Sequence, residues 1–258
     1  MDRPRALSAQ WMSCQKNTST LNARSNSPEV TGFPPILHRM TPDDSQYATL
    51  RPGVMVSSVP NPEGESMRSS SGVLVKDLLG STYMTTAAHG FPFDKNVCHP
   101  YPGGSMIGEI TTELPHTDIA LMKLRYGVEF VNEPFGNTLT ESPFRLGNFI
   151  RIAEIKRQDL VFFDSPFFGL VNGQLMSKNI MRVPSDDQEQ ELWIKTEWSY
   201  MGQDSAHDLV DGVCGSAIWN TDHRVLGFLT YAPATGLYKD YCLSIAADHL
   251  LDRGYSMV

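Results

Sequence analysis

Short alternating or apolar runs, each ended by glycine, proline or a polar turn, recur between residues 53 and 245 of this chain of 258 residues. Gly53-Val54-Met55-Val56-Ser57, Gly72-Val73-Leu74-Val75 and Ser81-Thr82-Tyr83-Met84-Thr85 open one series, continued at residues 106–111 and 119–124. A second series occupies residues 149–155, 160–163, 168–171, 180–183, 192–197, 224–231 and 241–245. Side chains in a strand alternate between two faces, so runs of this length and period predict strands and not helices. So many of them at short spacing predict an all-β barrel or sandwich. A helical pattern is convincing only at residues 246–253, with Ser244 as its N-cap and Gly254 just past its end.

Asp211-Gly212-Val213-Cys214-Gly215-Ser216-Ala217-Ile218-Trp219 places a thiol in a small-residue turn just before an apolar strand. Glycines on either side of a nucleophile let the backbone turn tightly and leave amide N–H groups free to face a cleft. Upstream, Thr85-Thr86-Ala87-Ala88-His89-Gly90 ends a strand on a histidine. Thr117-Asp118-Ile119-Ala120-Leu121 heads another with an aspartate. Histidine, aspartate and nucleophile follow one another in the order of a known catalytic triad. Taken singly, each residue has an ordinary structural reading: a buried thiol, a core histidine, a strand-end cap. Together they predict nucleophilic catalysis by Cys214, with His89 as base and Asp118 as its orienter.

In these three segments the sequence resembles the chymotrypsin/trypsin-like peptidases, with a cysteine nucleophile as in the chymotrypsin-like cysteine proteases of RNA viruses. The resemblance spans roughly residues 50–253. It implies two β-barrels followed by a C-terminal helix, and a cysteine endopeptidase working through a thioester acyl-enzyme. It also implies an oxyanion hole from the amides of Gly212 and Cys214. Thr230-Tyr231-Ala232 would form the edge strand that pairs with substrate backbone. Asp208 falls at the position that selects basic residues in trypsin-like enzymes, although a solvated acidic loop is its simpler role. Phe228 and Thr230 stand where the glutamine-selective viral enzymes carry a histidine, so that selectivity is not expected. Val213 replaces the acidic residue that pairs with a newly cut N-terminus in secreted relatives, which argues against activation by that route. Ser216, two past the thiol, is expected to pack and not to react.

Domain organisation is expected to comprise a flexible or wrapping arm (1–50), a first barrel (51–135), a linker (136–147) and a second barrel with the helix (148–258). The arm is rich in Ser, Asn and Pro and lacks a period. A hydrophobic fraction of 41% and a charged fraction of 19% are those of an ordinary globular chain. A net charge of −8 gives no basic surface for nucleic acid, so the expected partner is a protein or peptide substrate. No apolar run is long enough to span a bilayer. The start lacks a signal-peptide core, and Gly90 stands where secreted relatives carry a cysteine, so the expected location is cytoplasmic. Cys14, Cys98, Cys214 and Cys242 show no paired spacing. Cys98-His99, and His116 near Asp118, do not make a zinc pattern, so neither a metal nor another cofactor is expected. His38, His207, His223 and His249 carry no motif. The alternative functions are a protease-like binding or scaffold module with an inactive site, and a serine-peptidase relative made redox-sensitive by its cysteine.

Overall fold

The computed structural model describes residues 42–135, 144–183, 192–201, 209, 211–233 and 235–258. The first half contributes β1 (Thr49–Leu50), β2 (Met55–Ser58), β3 (Arg68–Ser70), β4 (Leu74–Lys76), β5 (Thr82–Ala87), β6 (Asn96–His99), β7 (Ser105–Glu113), β8 (Ile119–Leu124) and β9 (Glu129–Phe130). The second contributes β10 (Asn148–Phe149), β11 (Leu160–Ser165), β12 (Gly169–Val183), β13 (Leu192–Tyr200), β14 (Ala217–Asn220), β15 (Arg224–Tyr231) and β16 (Tyr241–Ala246). A helical turn, α1 (Asp248–Leu251), and β17 (Ser256–Met257) end the chain.

β15, β14, β11, β12, β13 and β16 pair in that order, and β16 returns to β15, closing a six-stranded barrel. The other large sheet runs β17-β4-β5-β8-β7-β6-β2-β3 and stays open as a half-barrel. Of the two expected β-barrels, one is closed and the other is a half-barrel. The all-β architecture itself is as the alternation predicts.

Strands near the contact between the two sheets are buried on both faces, which is why they read as near-continuous apolar runs. In β8, Ile119 and Leu121 join the cluster that includes Val161, Ala217, Phe228 and Ile245 of the second sheet. Ala120 and Met122 point the other way, into the half-barrel with Val56, Met84 and Phe91. The single alternation of β8 thus builds the interior of one sheet and its contact with the other.

Three local expectations give way to tertiary context. The helix expected at residues 246–253 shrinks to α1, because Ala246 still pairs with Gly227 in the barrel. Ser244 is not its cap but a strand residue whose hydroxyl donates to Glu197. Residues 149–155 leave the sheet after Phe149, and the Glu154 amide closes a turn on the Arg151 carbonyl at 2.9 Å. Residues 68–70, between the first two predicted strands, form β3 and pair with β2.

Residues 1–41 of the expected arm, and residues 136–143 of the expected linker, lie outside the described residues. Nearer the first sheet, β1 pairs with β9, and Leu50 is only 1% exposed. The Tyr47 ring packs on Phe135 at 5.1 Å between centroids, and its amide donates to His99 Nε2 at 3.1 Å. Leu50→Ala should therefore cost about 2–4 kcal/mol in urea titration, as expected for a core leucine; a loss below about 1 kcal/mol would show that β1 does not share the core. Among the described residues, no helix is long and apolar enough to cross a membrane.

Candidate active site

β5 delivers His89 to the cleft. The strand ends at Ala87, and a single 3-10 turn over Ala88–Gly90 carries the imidazole out of the sheet. Phe91, fully buried in the half-barrel, pins the far side of that turn. The Ala88 amide donates to the Asp118 carbonyl at 2.8 Å, tying the histidine turn to the head of β8.

Asp118 accepts three hydrogen bonds. The His89 amide donates to Oδ1 at 2.8 Å, and His89 Nδ1 meets Oδ2 at 2.7 Å. The Thr230 hydroxyl donates to Oδ2 at 2.6 Å. Held on Nδ1 by the carboxylate, the ring is left with Nε2 for proton exchange. Burial works to lower the His89 pKa, but the Asp118 carboxylate outweighs it. Hydrogen bonding and charge at Cys214 add to the rise, so the imidazole holds its proton well above the ordinary range.

The loop presenting Asp118 is strained. His116 and Asp118 both adopt left-handed backbone, with φ of 62° and 57°. Thr117 braces the turn between them: its hydroxyl donates to the Leu114 carbonyl at 2.9 Å and accepts from the Ile119 amide at 3.2 Å. A non-glycine residue pays about 1–2 kcal/mol in this conformation, against about 0.5–1 kcal/mol for the extra chain entropy of glycine. His116→Gly, at an exposed position, should accordingly raise the unfolding free energy by about 0.5–1 kcal/mol; an unchanged or lower midpoint in urea would mean that the loop carries no such strain.

Cys214 sits half-buried on the turn before β14, and its thiol donates to the Thr230 carbonyl at 3.4 Å. Thr230 therefore touches both the aspartate and the thiol. Gly212 and Gly215 have φ of 101° and 90°. A side chain at Gly215 would lie 2.5 Å from the Ser70 carbonyl oxygen and 2.7 Å from the Ala87 amide, so this approach of the two sheets requires glycine. Among the described residues, none accepts a hydrogen bond from the Gly212 or Cys214 amide. Ser216 is fully buried.

His89, Asp118 and Cys214 thus come together from two sheets. Thr230 joins them through its side chain, which is buried and engaged with Asp118, whereas Tyr231, the last residue of β15, and Ala232 just past it are half-buried. Asp208 lies outside the described residues. Ser69 and Ser70, which contact the Cys214 turn, escaped the sequence reading because a polar triplet before a glycine looks like a loop. Away from this cleft, His99 is buried, with Nδ1 on the Met55 carbonyl at 2.7 Å, and has a structural place in the half-barrel.

Solved structures of similar architecture are proteases. A glutamic acid-specific serine protease that uses a histidine triad in substrate binding matches with a TM-score of 0.57, over 81% of this chain and 100% of its own, at 15% identity. A chymotrypsin from Cellulomonas bogoriensis matches at 0.53, over 81% of this chain and 98% of its own, with 13% identity. A protease from M. tuberculosis in its active form matches at 0.52, over 91% of this chain and 92% of its own, with 14% identity. No family model and no curated protein matches the sequence. The fold is the chymotrypsin-like double barrel, and at these identities the likeness is one of fold.

Proposed function

We propose that this chain is a cysteine endopeptidase, with Cys214 as nucleophile, His89 as base and Asp118 as the residue that orients the imidazole. The observation that carries the reading is a half-buried thiol beside an imidazole already anchored on a carboxylate, on a turn whose Gly212 and Cys214 amides have no acceptor among the described residues. Only a thiolate attacks efficiently, and a histidine whose pKa is raised well above its ordinary value is a base able to take a proton. Serine proteases of the same fold use a hydroxyl instead. Here the neighbouring hydroxyl of Ser216 is fully buried, which speaks for the sulfur.

In the proposed reaction the thiol proton passes to His89, and sulfur attacks the peptide carbonyl carbon. The C=O electron pair moves onto oxygen, which the Gly212 and Cys214 amides stabilise. Collapse expels the amine, which takes its proton from His89 and leaves a thioester. Water, giving its proton to His89, then releases the acid and returns the thiol. Tyr231, half-buried at the end of β15, and Ala232 just past it support pairing of an extended peptide there.

Mild iodoacetamide treatment followed by mass spectrometry tests the reading. Cys214 should be labelled much faster than Cys98 and Cys242, which are buried and whose thiol pKa values are pushed up by burial. His89→Ala should slow that labelling. Equal labelling of all thiols, together with no cleavage of an unfolded protein substrate, would overturn it.

A further inference from the structure

We propose that Ser69 and Ser70 are positioning residues: from β3 of the half-barrel they clamp the Cys214 turn of the closed barrel and hold its peptide planes ready for an oxyanion. The inference rests on the peptidase reading. Three consecutive carbonyls of the turn are held. The Ser70 hydroxyl donates to Gly212 O at 2.9 Å. The Ser216 amide donates to Val213 O at 3.2 Å. Cys214 O receives both the Ser69 hydroxyl at 2.8 Å and the Ser70 amide at 2.9 Å.

A peptide unit is planar and trans, so a carbonyl fixed on one side sends the N–H of the same plane to the other. Holding Val213 O therefore directs the Cys214 amide away from the turn. Holding Gly212 O and Cys214 O prevents the planes on either side from rotating. The clamp is itself braced. Ser69 Oγ lies 3.1 Å from Thr86 Oγ1, and Thr86 Oγ1 donates to the Ser70 carbonyl at 3.1 Å. Thr86 belongs to β5, which ends at the His89 turn, so its hydroxyl, bonded to the Ser70 carbonyl, links the imidazole's strand to the strand that holds the nucleophile's turn. All three hydroxyl residues are at most 2% exposed. Buried hydroxyls used in this way rigidify a site, because each lost partner loosens the hold on its carbonyl.

A pair of reactions on Cys214 separates this role from general support. Acylation by p-nitrophenyl acetate passes through an oxyanion: the S–C bond forms, the C=O pair moves onto oxygen and returns, p-nitrophenolate leaves, and the thiol proton stays on His89. Alkylation by iodoacetamide displaces iodide at carbon and forms no oxyanion. Ser70→Ala and Ser69→Ala should each slow acylation by about tenfold, since a misplaced donor loses part of the 10²–10³ that a whole donor supplies. Alkylation of Cys214 should stay within about twofold of wild type. Ser69→Ala leaves the Ser70 amide on Cys214 O and is the milder variant. Unchanged acylation in both variants overturns the proposal. An equal fall in both reactions, or labelling of Cys98 and Cys242, would mark a merely structural role and overturns it too. If wild type is acylated no faster than His89→Ala, the peptidase reading itself falls, and the clamp with it.

Discussion

Exchange of Cys214 for alanine should lower kcat for peptide cleavage by about 10⁴–10⁶-fold, the loss seen when a triad nucleophile is removed. Only one sulfur atom goes, and it donates a single long bond to Thr230 O. Unfolding free energy should therefore change by less than about 1 kcal/mol. Cys214→Ser should also retain little turnover, because a hydroxyl needs more help from its base than a thiol does. Asp118→Asn should be milder for the same reason, costing about 10–100-fold, although it weakens the three hydrogen bonds that the carboxylate accepts. Kinetics on a fluorogenic protein substrate, with thermal melts in parallel, check all three. If Cys214→Ala cleaves as well as wild type, the mechanism is wrong; if neither cleaves, the scaffold reading replaces it.

Asp164→Asn should stabilise the protein, and by more as the pH rises. Asp164 lies in β11 at 2% exposure. Oδ2 accepts the Phe135 amide at 2.8 Å, and buried Oδ1 has no partner among the described residues. Gly53 abuts it so closely that a Cβ there would lie 2.5 Å from Asp164 Cβ. Burial pushes the carboxyl pKa up to about 7, with the Phe135 amide pulling only weakly the other way. Between the unfolded pKa near 3.8 and that folded value, the folded state holds the extra proton, so stability falls as pH rises and levels off above about pH 7. Asparagine keeps an acceptor for Phe135 and never ionises. From pH 5 to pH 8 the advantage of the variant in urea titrations should widen by about 2–3 kcal/mol, at 1.36 kcal/mol per pK unit. A gap independent of pH would show that Asp164 is not a neutral acid in the folded protein.

Both expectations begin at residues a sequence reader treats differently. Cys214, His89 and Asp118 announce themselves, because glycine-flanked turns and strand ends are where backbone shape and reactive side chains coincide. Asp164 and the Ser69–Ser70 pair give no such sign. An acid inside Val161-Phe162-Phe163-Asp164 shows no sequence trace of the Phe135 amide and Gly53 backbone that meet it from elsewhere. A serine triplet shows none of the Gly212 and Cys214 carbonyls that lie 142 and 145 residues away. Thr230 is an intermediate case. Its place on a strand is legible, but its hydroxyl turns to Asp118, 112 residues distant.

What the chain determines by itself is local: the period-two alternation that makes sheets, the glycines that permit left-handed turns, and the order and types of three reactive residues. Steric limits and side-chain direction act within a few residues, so these are written into short segments. Tertiary structure alone decided that one barrel closes on the β15–β16 pairing while the other sheet stays open. It also stopped the terminal helix at one turn, where Ala246 completes a strand before α1 can begin. It brought Ser70 to Gly212, and Thr230 to both Asp118 and Cys214. Such contacts join residues far apart in the chain, and their energy depends on register and burial that no local window contains.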